Sequence, residues 1–309
     1  MTTFPIVRRQ TVRKKRNALV IQEAIAGYVF VLPALILFLT FFAGPMVWGL
    51  GMSFFKWDFF STPKLVWLDN FRDLWNDKLF MITLQNTVKF AFIVSFLNVS
   101  LGMLIAIGIN NIHWTWLQTF LRSAYFMPFV ISTTVTAILF TFLLNESLGA
   151  VNYYLTQIGI PRIPWLTSST WAFVSVVFLD VWKSVGLFTL IFLAGLQGIP
   201  TELYEAAEVD GAPAWVKVTR ITIPLLAPTL FFCTIVALIG SFQVFESMYV
   251  LTGGGPGDAT RTMTMYLYRA AFGDYNMGYA ASMAVVLFMI LLTLTIIQIR
   301  LGKHWVFYR

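Results

Sequence analysis

Six stretches of the chain run almost free of polar residues: 25–52, 84–109, 117–144, 171–196, 225–251 and 278–299. A bilayer core of about 30 Å takes about 20 apolar residues per helical span, so each stretch is long enough to cross. Polar positions collect between these stretches, which predicts an all-α polytopic membrane protein of six transmembrane helices. The first stretch is too long for a cleavable signal peptide, and no small-residue cleavage site follows it.

Composition agrees with that pattern. Hydrophobic residues make up 58% of the 309 and charged ones 11%, against about 25% charged in a soluble domain. The positions of lysine and arginine predict orientation. Arg8, Arg9, Arg13, Lys14, Lys15 and Arg16 precede the first span, and Arg300, Lys303 and Arg309 follow the last. An even number of spans puts both tails on one side, together with Arg122 in the second loop and Lys217 and Arg220 in the fourth. That side holds twelve basic residues. The other holds seven: Lys56, Lys64, Arg72, Lys78, Arg162, Arg261 and Arg269. The positive-inside rule therefore predicts cytoplasmic N and C termini, with a basic tail at 1–24 and a short tail at 300–309. The net charge of +7 is topogenic and needs no nucleic-acid partner.

Catalytic and metal chemistry find no support. Cys233 is alone inside a span, and His113 and His304 are isolated near span ends. No Gly-x-x-x-x-Gly-Lys-Ser/Thr occurs, so the chain has no P-loop for ATP. Work done by such a chain is movement rather than reaction. A charge near the centre of a span costs at least ~2.5 kcal/mol on insertion scales, so charged residues there pair or line water. Asp180 and Lys183 are three apart and share a helix face, where they could neutralise each other. Gln243 and Glu246 have the same spacing. Both faces are candidates for a transport pathway, with helix packing as the plain alternative. Lys89 lies closer to a span end, and Phe129, after Pro128, reads from composition alone as core.

The loops are short and one is distinctive. The first outer loop carries Trp57, Trp67 and Trp75 around Asp69-Asn70-Phe71, and the third carries the turn Gly253-Gly254-Gly255-Pro256-Gly257. The fourth loop, 199–224, contains Glu205-Ala206-Ala207-Glu208-Val209-Asp210-Gly211-Ala212, then Ile221, Ile223 and Pro224. Pro200 suits the first turn of a helix and Glu202 its positive dipole end. Leu203, Ala206 and Ala207 give that helix an apolar face with small side chains, fit for a partner's groove. Gly211 ends it in a left-handed cap, and a second short helix runs from Ala214 to Ile221, until Pro224 starts the next span.

That loop resembles the EAA loop of ATP-binding-cassette importer permeases: Glu-Ala-Ala, three residues, Gly, nine residues, Ile, one residue, Leu, Pro. Only the Leu differs, as Ile223. Further stretches resemble carbohydrate importers of the maltose-permease type, as the first of their two membrane subunits. These are Gly27-Tyr28-Val29-Phe30-Val31-Leu32-Pro33-Ala34, Leu68-Asp69-Asn70-Phe71, Phe192-Leu193-Ala194-Gly195-Leu196-Gln197 and Leu251-Thr252-Gly253-Gly254-Gly255-Pro256. The resemblance implies a type I, MetI-like permease core of five helices at 84–299 plus one N-terminal helix at 25–52. It implies residence in a bacterial or archaeal cytoplasmic membrane, with a second homologous permease, two copies of an ABC ATPase that bind the ATP and magnesium, and an extracytoplasmic solute-binding protein. It implies an ATPase-coupling role for Leu203, Glu205, Ala206, Ala207, Asp210, Gly211 and Ala212. By position it assigns a sugar pathway to Phe129, Asp180, Lys183, Ser184 and Gln243, beside Glu246 on the same face. Charge at Asp180 and Lys183, where relatives can be neutral, keeps glycerol phosphate or a polyol as alternative cargo. A secondary transporter or channel is the alternative from another class; the EAA loop, and no inverted repeat, argue against it.

Overall fold

The computed structural model describes residues 10–303, and Arg8, Arg9, His304 and Arg309 lie outside them. The described residues start as α1 (Gln10–Phe38), pass a π-helical turn at Leu39–Ala43 and continue as α2 (Gly44–Met52). Pro45 sits in the first turn of α2, where its missing N–H is least costly. The span formed from Gln22 to Met52 buries none of its apolar window against the rest of the chain. At its end a two-stranded hairpin, β1 (Phe55–Lys56) and β2 (Lys64–Leu65), pairs Phe55 with Leu65 antiparallel. Asn70, in α3 (Asp69–Asn76), donates its amide to the carbonyls of Ser53 and Phe55, at 2.8 and 3.0 Å. This accounts for the Asp-Asn-Phe element of the first loop.

Next come α4 (Lys78–Asn110), α5 (Thr115–Val130), α6 (Thr133–Leu143), α7 (Ala150–Gln157) and α8 (Ser169–Gln197). The fourth loop forms α9 (Thr201–Val209) and α10 (Ala214–Lys217). A π-helical turn at Val218–Thr222 and α11 (Ile223–Leu225) lead to α12 (Ala227–Phe242). The chain closes with α13 (Glu246–Leu251), α14 (Met263–Tyr268) and α15 (Met277–Gly302).

Four helices are single long spans, and two predicted spans are broken. The third bends by 95° between Val130 and Thr133, and the fifth by 66° at Leu226. The fifth also ends at Phe242, ahead of the predicted 251, and α13 forms a separate half-helix. Hydropathy is blind to such breaks because their residues, such as Ile131 and Leu226, are as apolar as their neighbours. The last helix runs to Gly302, two residues past Arg300, so the predicted tail starts later.

Packing centres on α4, which lies against both α8 and α12. Three apolar clusters succeed one another along it, around Phe80, Phe90 and Ile109. Lipid tails are as apolar as leucine, so close approach through small residues, rather than the hydrophobic effect, holds such helices together. Gly186 of α8 is the clearest case: a Cβ there would lie 1.8 Å from the carbonyl oxygen of Tyr125 in α5. At one end of the bundle Asp77 caps α4. Its carboxylate accepts from Leu79 N–H at 2.8 Å and from the hydroxyls of Tyr266 and Tyr279 at 2.5 and 2.6 Å. Burial alone would raise this carboxyl, but the two hydroxyls and the Leu79 N–H outweigh it and hold the group below its ordinary 3.8.

Candidate functional site

A cavity of about 500 Å³ opens where the two broken spans face α8. Phe129 and Thr133 border it from the break between α5 and α6. Asp180 and Ser184 come from α8, and Gln243, Phe245, Glu246 and Ser247 from the break between α12 and α13. Phe90, Val94 and Asn98 of α4 line it as well, with further residues of α8 and α12. Five of the residues predicted as a pathway therefore meet on one surface: Phe129, Asp180, Ser184, Gln243 and Glu246. Thr133, Phe245 and Ser247 were not legible from the sequence, because only the breaks turn them inward.

Asp180 and Lys183 do not pair with each other: no ion pair within 4.0 Å joins them among the described residues. Each engages a break instead. The Lys183 ammonium donates to the carbonyls of Phe129 and Ile131, at 3.1 and 2.8 Å. These carbonyls stand at the end of α5, where the helix stops and its dipole is negative. The ammonium also lies 5.6 Å from the Phe129 ring centroid. Lys183 is 9% exposed and is not part of the cavity lining. On the other side, Asp180 accepts a 2.6 Å hydrogen bond from Ser247 in the first turn of α13. One turn of α8 thus holds both breaks through groups of opposite charge.

The fourth loop forms a second candidate site, beside the cluster that contains Ile199 and Leu226. Pro200 is the N-cap of α9, so the helix starts at Thr201, one residue later than the proline rule predicts. Gly211 adopts φ +73°, a conformation glycine takes without steric cost. Its N–H reaches the Glu208 carbonyl at 3.0 Å, and the Ala212 N–H reaches Ala207 at 2.8 Å. Those two bonds are a Schellman cap, and they turn the chain into α10. Tyr204 ties α9 to the π-turn through a 2.9 Å bond to Thr222, and Lys217 pairs with Glu208 at 3.6 Å.

No residue of α9 is buried. Leu203, Glu205 and Ala206 are exposed, as are Asp210 and Gly211, while Ala207 and Ala212 are half-buried. Val209 at 89% exposure and Trp215 at 69%, which carry no distinguishing signal in the sequence, widen the open apolar surface. Leu203, Val209 and Trp215 thus give α9 and the start of α10 an exposed apolar surface.

The architecture is shared with known transporters. Residues 98–301 match the family model described as binding-protein-dependent transport system inner membrane component. The trehalose/maltose transport system permease protein MalF of Thermococcus litoralis is 34% identical, over 91% of this chain and 95% of that protein. A chain in the crystal structure of a bacterial ABC transporter involved in import of the acidic polysaccharide alginate aligns with a TM-score of 0.84. It is 26% identical and covers 94% of this chain and 99% of its own. A bacterial alginate ABC transporter in complex with an alginate pentasaccharide-bound periplasmic protein aligns at 0.81, also 26% identical, over 96% and 98%. With two broken spans around a polar cavity and an exposed capped helix beyond it, this chain belongs to the family of binding-protein-dependent transport system inner membrane components.

Proposed function

We propose that the chain is a membrane-spanning permease subunit of an ATP-binding-cassette importer that translocates a sugar delivered by an extracytoplasmic binding protein. The observation that carries this reading is the pairing of a polar cavity among broken spans with an exposed, Schellman-capped α9. The trehalose/maltose and alginate relatives support a saccharide cargo. Cavity chemistry agrees, since carboxylate, amide and hydroxyl groups stand beside the Phe129 and Phe245 rings, and sugars are polar at their edges and apolar on their faces. The Lys183 ammonium, the natural partner for a glycerol phosphate anion, is held by two carbonyls and does not line the cavity.

In this reading α9 docks in a groove of the cytosolic ATPase, with Leu203, Ala206 and Ala207 as the apolar contact and Glu205 facing a basic residue. Two ATPase copies bind the ATP and magnesium, and a second, homologous permease supplies the other half of the path. Both termini face the cytosol, in line with twelve basic residues on that side against seven. Closure of the ATPase dimer moves α9 as a rigid body and reorients α8 and α12 on either side of it. The test is ATPase stimulation of the reconstituted four-chain complex by its loaded binding protein, across a panel of sugars and polyols. Stimulation by one saccharide class is expected; stimulation by amino acids or phosphate esters alone would overturn the cargo assignment.

A further inference from the structure

Four aromatic rings lead away from the cavity in an unbroken row. Phe245, on the cavity wall, stacks with Tyr249 at a centroid distance of 5.1 Å and an interplanar angle of 17°. Tyr268 lies 5.1 Å from Phe245 and 6.0 Å from Tyr249, and Phe272 lies 5.2 Å from Tyr268. Tyr249, Tyr268 and Phe272 border a second cavity of about 300 Å³, with Arg261 and Arg269 at its edge. Each arginine is paired with an aspartate, Asp258 at 2.9 Å and Asp274 at 3.8 Å, so the pocket carries little unbalanced charge. Tyr249, Tyr268 and Phe272 are exposed.

Tyrosines of an interfacial belt face lipid singly, with a wet tip and an apolar body. These rings instead begin at a polar cavity inside the bundle and pack on one another, Phe245 and Tyr249 stacked and the others tilted or edge-on. A pyranose ring has an apolar C–H face that lies flat on an aromatic ring and hydroxyl edges that take hydrogen bonds. We infer that the Tyr249–Tyr268–Phe272 surface is an outer subsite for the distal units of an oligosaccharide whose leading units occupy the inner cavity. The inference rests on the saccharide-importer reading and extends it: recognition at the outer subsite is by ring stacking, and cargo longer than the inner cavity is accommodated.

The test uses the full complex in liposomes with its binding protein. Uptake is measured for maltose, maltotriose and maltopentaose and for alginate di- and pentasaccharides. Tyr249→Ala combined with Tyr268→Ala is compared with Phe at both positions and with Phe272→Ala alone. Loss of two stacking contacts is expected to raise the apparent KM for the longest imported saccharide about tenfold relative to the shortest, with both Phe replacements retaining wild-type ratios. Equal losses at every length, no loss at all, or wild-type import restricted to the shortest member would each overturn the outer subsite. Failure of the wild-type complex to import any saccharide overturns the cargo reading itself, a result read from the wild type alone.

Discussion

An ammonium inside a span costs several kcal/mol unless its protons are satisfied, and Lys183 meets that cost at a particular place. A helix that stops within the membrane leaves carbonyls with no partner, and lipid offers none. The carbonyls of Phe129 and Ile131 are such groups, and the Lys183 ammonium takes both. Lys183→Met keeps the length and apolar stem of the side chain but leaves the two carbonyls without a donor. We expect it to destabilise the assembled complex by about 1–2 kcal/mol and to reduce uptake severely, because the Phe129 wall of the cavity shifts. Thermal unfolding and uptake in the same preparation measure both, with Lys183→Arg, which retains donors, falling between. Wild-type uptake in Lys183→Met would separate the break from transport. Asp77 gives a pH-dependent counterpart at the bundle's end. Its carboxyl is depressed in the folded chain, so its stabilisation is complete above the ordinary value of 3.8 and is lost as pH falls through the folded pKa. Asp77→Ala should cost about 2 kcal/mol at neutral pH, and its stability should vary less than wild type's below about pH 4. Parallel unfolding curves across that range would contradict the assignment.

At the scale of elements, α9 carries the clearest sequence signal and the broken spans carry almost none. Proline, first-turn acid, paired alanines and glycine are local features, and a Schellman cap depends only on local backbone, so Gly211 was readable from the chain. Gly211→Val forces a β-branched residue into a left-handed conformation, which costs about 1 kcal/mol or more and tilts α10 away from α9. The variant is expected in the membrane at normal levels, with co-purifying ATPase and uptake both lost. Retention of both would remove the cap from the coupling pathway. The breaks depend on tertiary partners instead. Pro128 hinted at one, but the donor that makes the first break tolerable, Lys183, is 54 residues away in α8. Spacing suggested a Lys183–Asp180 pair because periodicity places two side chains on one face but says nothing of what stands opposite. Ser247 and Phe245 were hidden for the same reason: hydropathy reads 225–251 as one span, while the chain turns at Gln243.

At the scale of the whole molecule, the proposed function divides labour between chains. The first span buries none of its apolar window against the rest of the described chain, and α9 ends in an open apolar surface. In the proposed function both surfaces are covered by partner subunits, and the chain has no P-loop of its own. The most direct test compares sugar uptake by liposomes holding this chain alone with uptake by liposomes holding it together with the second permease and the ATPase. The expectation is no flux and no ATP hydrolysis from the chain alone, and ATP- and binding-protein-dependent uptake from the complete complex. Sustained uptake by the chain alone, independent of ATP, would contradict it.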